Sequence, residues 1–333
     1  MISIKIADPS EVAEARRRAT QIAEESGFAP ADAGRAALVA TELATNLVKH
    51  AGGGEMLLGA YEEPADKGIE IIALDRGRGI ADLQACLADG YSSVGTAGNG
   101  LGAVLRQSHR VEIASWIGQG TVVLARLEQG TPPKSRKTSS SPWGAVAVPK
   151  PGEEVCGDSW SVSESPGART LIVADGLGHG PEAADAAVQA IRVFHRHRDH
   201  QVATLLEYIH GGLRSTRGAA VSIARMDFVN EKVSYAGLGN VAGAIVANGT
   251  VKNMVSLSGT AGHNARKVQA FDYPFKAGIV IMHSDGLSSH LSVDKYPGLA
   301  RAHPTLVAAV LYRDYARRND DATVLVASGA SGR

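Results

Sequence analysis

A chain of 333 residues, 44% hydrophobic and 20% charged, has the apolar material for two cores and exceeds what one core usually holds. Lys+Arg and Asp+Glu balance at 34 each, so no net field draws the chain to nucleic acid or an acidic membrane surface. Two distant cysteines, Cys86 and Cys156, exclude a disulfide scaffold and the spacing of a cysteine zinc site.

The N-terminus, Met1-Ile-Ser-Ile-Lys-Ile-Ala-Asp8, lacks the apolar core of a signal peptide, and no apolar run approaches a membrane span; a cytoplasmic protein is expected. Apolar periodicity then predicts helices from Ser10 to Ser26 and from Ala31 to His50. Strands are predicted over Met56–Tyr61, Ile69–Leu74, Val111–Trp116 and Thr121–Leu127, with a short helix from about Ala103. Strands clustered with helices in this way imply an α+β sandwich. The stretch Gln129-Gly-Thr-Pro-Pro-Lys-Ser-Arg-Lys-Thr-Ser-Ser-Ser-Pro142 has no apolar periodicity and reads as a linker. Beyond it, strands are expected at Thr170–Ala174, Ala219–Met226, Lys232–Ala236, Gly243–Ala247, Gly278–His283 and Thr323–Ala327. Helices at about Pro181–Arg198 and Gln201–Thr216 separate the first of these from the rest, which fits a second helix-bearing β-sandwich. The basic run Arg192–His200 reads as the solvated face of a helix.

Three segments of the first half carry chemistry together. Thr41-Glu-Leu-Ala-Thr-Asn-Leu-Val-Lys-His50 places Glu42, Asn46 and Lys49 or His50 on one helical stripe, a carboxylate and an amide suited to Mg²⁺. Asp75-Arg-Gly-Arg-Gly79 follows an apolar strand, where a carboxylate can accept from an exocyclic amine and glycines admit a flat base. Gly95-Thr-Ala-Gly-Asn-Gly-Leu-Gly102 leads into a helix, where backbone N–H groups can surround phosphate oxygens. Any one of these is a weak signal, since glycine-rich loops are often only turns.

In this order and spacing, the three resemble the N, G1 and G2 boxes of the GHKL ATP-binding fold. With no histidine-bearing dimerisation helices, and with the phrases Glu42-Leu-Ala-Thr-Asn46 and Gly68-Ile-Glu-Ile-Ile-Ala-Leu-Asp75, the resemblance is to the anti-sigma serine kinases of the RsbT type. It implies ATP and Mg²⁺ as ligands. Asn46 would hold Mg²⁺, Asp75 the adenine, Gly77 and Gly79 the base-side loop, and Gly98, Gly100 and Gly102 the phosphates. Glu42 would be the base that orients an attacking serine hydroxyl.

The second half repeats an apolar strand that ends in Asp-Gly, as Leu171-Ile-Val-Ala-Asp-Gly176 and Ile279-Val-Ile-Met-His-Ser-Asp-Gly286. Cys156-Gly-Asp158 opens this half, and Asn319-Asp-Asp-Ala-Thr-Val-Leu-Val326 precedes its last strand. A single Asp-Gly pair is better read as a turn. Four acidic stations beside strands point instead to carboxylates gathered around divalent cations, and oxygen-only ligands favour Mg²⁺ or Mn²⁺ over zinc. The set resembles the bacterial SpoIIE/RsbX branch of the protein phosphatase 2C superfamily, which implies an α-β-β-α sandwich and two Mn²⁺ or Mg²⁺ ions. Asp175 would bridge the metals and Gly176 offer its carbonyl; Asp285 and Asp320 would complete the second ion, and Asp158 act directly or through water. Asp321 is the less favoured of its pair. Two departures stand out. The superfamily's upstream phosphate-gripping arginine has no counterpart here beyond Lys150, and His179 lies three residues past Gly176 instead of next to it.

The expected organisation is therefore a kinase-like domain over 1–128, a linker over 129–142 and a phosphatase domain over 143–330. The resemblances imply a STAS-domain or stressosome-type protein as shared phospho-substrate, with neither nucleic acid nor membrane as partner. A first domain that binds ATP and captures a STAS protein or sigma factor without phosphorylating it is the alternative.

Overall fold

The structure is a computed structural model and describes residues 1–63, 66–83, 86, 100–133, 141–265 and 267–329. Two compact units divide the chain, Met1–Ser141 and Pro142–Arg333. Residues 134–140 of the expected linker, and residue 330, lie outside the described residues. No helix among the described residues is long and apolar enough to cross a membrane.

The first unit is one antiparallel sheet with helices packed on one face. Its strands are β1 (Ile2–Ile6), β2 (Gly54–Glu62), β3 (Lys67–Leu74), β4 (Arg110–Trp116) and β5 (Gly120–Leu127), in spatial order β1-β2-β3-β5-β4. Alternation in β3 and β5 turns Ile69, Ile71, Ala73, Val123, Ala125 and Leu127 into the core beneath the helices. Helix α1 (Pro9–Glu25) starts at a capping box in which the Asp8 and Glu11 side chains each satisfy backbone N–H groups. Its buried face is Ala15, Ala19 and Ala23, and α2 (Pro30–Asn46) offers Ala33, Ala36, Ala40 and Ala44. Small side chains on both faces let the two helices approach closely. The last N-terminal helix is α3 (Gly100–Gln107).

The α-helical stripe drawn through Glu42 and Asn46 does not continue to Lys49 and His50. Leu47–Ala51 forms a π-helical turn, closed by the Gly52 N–H donating to the Leu47 carbonyl. Wider i→i+5 bonding breaks the 3.6-residue period there, so α-helical spacing ends at Asn46.

The second unit is a four-layer α-β-β-α sandwich. One sheet has the order β13-β10-β9-β8-β7, the strands being β7 (Asp158–Ser165), β8 (Ala168–Gly176), β9 (Ala219–Asp227), β10 (Lys232–Leu238) and β13 (Phe271–Pro274). The other has the order β12-β11-β14-β15-β6, with β6 (Trp143–Val148), β11 (Ala242–Ala247), β12 (Thr250–Met254), β14 (Ile279–His283) and β15 (Ala322–Ser328). Helices α4 (Pro181–His197) and α5 (Val202–Gly212) cover the first sheet, and α6 (Pro304–Tyr315) packs on β6 and β15 of the second. Strand β8 shows why the layers form. Leu171 and Val173 enter the core between the sheets, with Met226, Tyr235, Val280 and Leu325, while Ile172 and Ala174 enter the core beneath Phe194 and Leu205. Both faces of β8 are thus buried, so it reads as a continuous apolar run.

Candidate active sites

The polar end of α2 meets the start of α3. A Cβ added to Gly100 would lie 3.4 Å from Asn46 Oδ1 and 3.9 Å from Glu42 Oε2. Glu42, Asn46 and Gly100 therefore share one edge, with the first turn of α3, including the buried Gly102, presenting its N–H groups there. Gly98 and the loop before it lie outside the described residues.

Asp75, Gly77 and Gly79 form a second group, reached from the end of β3. The Asp75 Oδ1 accepts from the Gly77 N–H at 2.7 Å and from the Thr121 N–H at 3.1 Å, which fixes the carboxylate by backbone donors. Both glycines are packed tightly. A Cβ on Gly79, whose φ is +74°, would lie 2.3 Å from the Trp116 carbonyl oxygen, and one on Gly77 would lie 3.1 Å from the Ala51 Cα. Gly77 therefore abuts the π-helical turn that follows Asn46. Thr121 was not among the residues singled out by sequence. It is buried, its hydroxyl lies 2.9 Å from that of Ser115, and it stands beside Asp75. Its only signal is its place after the Gly118-Gln-Gly120 turn and before an apolar strand.

The second site lies in the other unit. Asp158 and Asp175 are directly opposed on β7 and β8, which puts their Cβ atoms about 5 Å apart on one face. Continuing the alternation of β8 aims Asp175 between the two sheets, on the side of Leu171 and Val173. Burial and the charges of Asp158, Asp285, Asp320 and Asp321 push the Asp175 carboxyl up to about 9. Burial likewise pushes Asp158 up to about 7 against the pull of the Ser284 and Thr323 hydroxyls, with Asp321 and Asp285 adding to the rise. Asp285 is raised too, by burial and then by Asp320, while Arg317 and Asn240 act against the rise. The cluster therefore unites Asp158, Asp175, Asp285 and Asp320 electrostatically.

It also includes Asp321, the member of its pair that sequence reasoning ranked second. Asp321 is 3% exposed and its Oδ1 accepts from the Lys150 N–H at 2.9 Å. Its Oδ2, like the Oδ2 of Asp158, is buried with no hydrogen-bond partner. Glycines make room for this arrangement. A Cβ would meet the Asp321 Oδ2 at 2.6 Å from Gly157, the Asp321 carbonyl oxygen at 1.8 Å from Gly286, and the Ala183 carbonyl oxygen at 2.0 Å from Gly176. Asn240, also missed by sequence, donates from Nδ2 to the Asp285 Oδ2 at 2.5 Å and orients it. His179 stands apart in the loop before α4, exposed, with its Nδ1 2.7 Å from Glu153 Oε1.

Unpaired buried acceptors and carboxylates driven toward protonation by burial and by one another are what a cation would relieve, and the donors are all oxygen. Among the described residues no three His, Cys, Asp or Glu side chains stand close enough together to hold a metal ion as they are placed. The residues fit divalent ions by charge and donor type.

Two family models match. Residues 6–127 match the histidine kinase-like ATPase domain, and residues 165–329 match stage II sporulation protein E. The chain is 33% identical over 122 residues to the serine/threonine-protein kinase RsbT of Bacillus subtilis, covering 37% of this chain and 92% of that protein. The chain belongs to the RsbT-like ATPase family and carries a SpoIIE-type phosphatase domain. It is also 26% identical over 141 residues to the phosphoserine phosphatase RsbX of Bacillus subtilis, covering 42% of this chain and 71% of RsbX. A chain from a solved structure described as the bacterial stressosome, a modular system adapted to control secondary messenger signaling, superposes with a TM-score of 0.52 at 29% identity. That match covers 56% of this chain and 97% of the other. The RsbT-like half thus holds the Asn46 edge, and the protein phosphatase 2C-type half holds the carboxylate cluster.

Proposed function

We propose that this chain both writes and erases a phosphate on serine or threonine of one signalling partner, a STAS-domain protein of the stressosome type. The observation that carries the reading is the presence in one chain of two unlike sites, a carboxylate–amide edge at a helix N-terminus and a cluster of frustrated carboxylates. The names of the relatives support it, one being a serine/threonine kinase, one a phosphoserine phosphatase and one a stressosome chain.

In the first half, Asp75 accepts from the adenine amine while Gly77 and Gly79 let the base-side loop pack against Ala51 and Trp116. The α3 N-terminus, with Gly100 and Gly102, donates to phosphate oxygens. Asn46 would hold Mg²⁺, and Glu42 takes the proton of the partner's hydroxyl as its oxygen attacks the γ-phosphorus of ATP and ADP leaves. In the second half, Asp158, Asp175, Asp285 and Asp320, with the Gly176 carbonyl, would hold two Mn²⁺ or Mg²⁺ ions. When bound, the ions supply charge that offsets the carboxylates and the phosphate and acidifies water. Asn240 orients Asp285, and Asp321, held by the Lys150 N–H, adds negative charge that favours cation binding. Joining both activities on one chain raises their local concentration at a shared partner to about the millimolar range.

The test is to incubate the full-length protein with ATP, Mg²⁺, Mn²⁺ and a STAS-domain partner, and to follow partner phosphorylation by mass spectrometry. Wild type should hold a partial steady level. Asp175→Asn should drive it toward completion, and Asn46→Ala should bring it to zero while a pre-phosphorylated partner is still cleared. No rise with Asp175→Asn, together with loss of partner binding in Asn46→Ala, would make the first half a nucleotide-gated binding module instead.

A further inference from the structure

A phosphate entering the carboxylate cluster brings negative charge to the most acidic part of the second unit, and the sequence offers no upstream arginine to receive it. We propose that Arg317, fixed beside the Asp285–Gly286 turn, grips the phosphate of the substrate; this inference rests on the phosphatase reading above.

Arg317 lies between α6 and β15. Its backbone N–H donates to the Gly286 carbonyl at 2.8 Å, the Ser288 N–H donates to the Tyr315 carbonyl at 2.9 Å, and Leu287 and Ala316 form a β-bridge between them. Three contacts therefore hold the Arg317 segment against the turn that carries Asp285, so its Cα cannot drift from the cluster. Its side chain is exposed and forms no ion pair among the described residues.

Other arginines near this region are engaged elsewhere. Arg313 pairs with Asp314 at 2.7 Å, and Arg318 donates to the Tyr312 hydroxyl at 2.8 Å. Arg217 lies by the loop after β8, but its guanidinium pairs with Glu182 and its carbonyl accepts from His263. Arg317 alone among these four combines an uncommitted fork with a backbone bonded to the Asp285–Gly286 turn. A planar guanidinium suits this task, because two parallel N–H bonds can grip two phosphate oxygens where an ammonium offers a point charge.

The experiment uses full-length protein at saturating Mn²⁺, a phosphoserine peptide as substrate and inorganic phosphate as competing product. Arg317→Ala should raise both KM and the phosphate inhibition constant about tenfold or more, the loss expected for a charge-assisted contact. The Mn²⁺ concentration for half-maximal activity should stay within about twofold, because Arg317 holds no ion. Arg317→Lys should lose less than Ala, and Arg217→Ala should keep the wild-type phosphate constant. An unchanged phosphate constant in Arg317→Ala overturns the inference, including when Mn²⁺ affinity changes, because Arg317 would then act on Asp285 alone. If wild type shows no metal-dependent hydrolysis, the phosphatase reading fails and takes this inference with it. If wild type hydrolyses the peptide and Arg317→Ala binds phosphate as before, only this inference falls.

Discussion

The two candidate sites solve opposite electrostatic problems. In the RsbT-like half the proposed adenine carboxylate is already satisfied, because Asp75 takes hydrogen bonds from the Gly77 and Thr121 backbones. In the phosphatase half, Asp158 and Asp175 oppose each other across two strands, and Asp158 and Asp321 each bury an oxygen with no partner. The first site is held in shape by the fold. The second is strained by its own charges, at roughly 4 kcal/mol for two charges 4 Å apart in a partly screened setting. One site should thus recognise a ligand with little change, while the other should be stabilised by its ions.

The largest expected effect breaks that contrast at its most strained point. Asp175→Asn should lower phosphoserine hydrolysis by about a thousandfold, since it removes the carboxylate that faces Asp158 at the middle of the cluster. The same variant should be as heat-stable as wild type, or more so, when stripped of metal, because a repelled carboxyl has been neutralised. Calorimetric scanning beside a steady-state assay reads both. A large loss of metal-free stability would mean that Asp175 is satisfied in ways the repulsion does not capture.

The next effect falls on the satisfied site. Asn46→Ala should weaken Mg·ATP binding by about tenfold to a hundredfold while leaving peptide hydrolysis intact, as titration calorimetry on the full chain would show. Thr121→Val should cost less, about tenfold at most, by removing the buried hydroxyl that meets Ser115 while keeping the backbone donor to Asp75. Equal losses from the two variants would mean that Thr121 bears on more than the adenine side.

The smallest effect concerns pH. Burial and mutual repulsion push the Asp158 and Asp175 carboxyls up to about 7 and about 9 in the folded chain, from an ordinary value of 3.8. Between about pH 4 and 9 the metal-free folded state therefore binds more protons than the unfolded one, and its stability falls as pH rises through that window. Each kcal/mol lost should lower the melting temperature by about 2–4 °C for a unit of this size. Saturating Mn²⁺ should flatten the slope, and Mn²⁺ affinity should rise with pH as protons are displaced. A metal-free melting temperature that rises from pH 6 to 9 would contradict the repulsion.

Where the sequence carried strong periodicity, the fold was legible. The apolar run Thr170–Ala174 announced a strand, and Pro181–Arg198 announced α4. Helix α6 escaped because Pro304–Arg313 is buried on every side, leaving no polar face to mark its period. Strand β7 escaped because Asp158-Ser-Trp-Ser-Val-Ser-Glu-Ser165 buries little, and β1, β12 and β13 are short strands at sheet edges. The π-helical turn after Asn46 has no sequence signal, since Leu47–Ala51 continues an ordinary helical pattern. Among candidate site residues, the Asp-Gly stations were readable as strand ends. Asp321 was not, because adjacent residues before a strand face opposite ways, and the Lys150 N–H and Gly157 decide which one is buried. Asn240 and Thr121 act through neighbours distant in sequence, so only the fold reveals their company.

The central claim is that the carboxylate cluster of the second unit works only with divalent cations and acts on phosphoserine. The most direct measurement is hydrolysis of a phosphoserine peptide by the full-length chain, first in excess chelator and then across a titration of Mn²⁺ or Mg²⁺. The account predicts no turnover in chelator and recovery with either ion, with the Asp175→Asn variant inactive throughout. Undiminished turnover in excess chelator would contradict it.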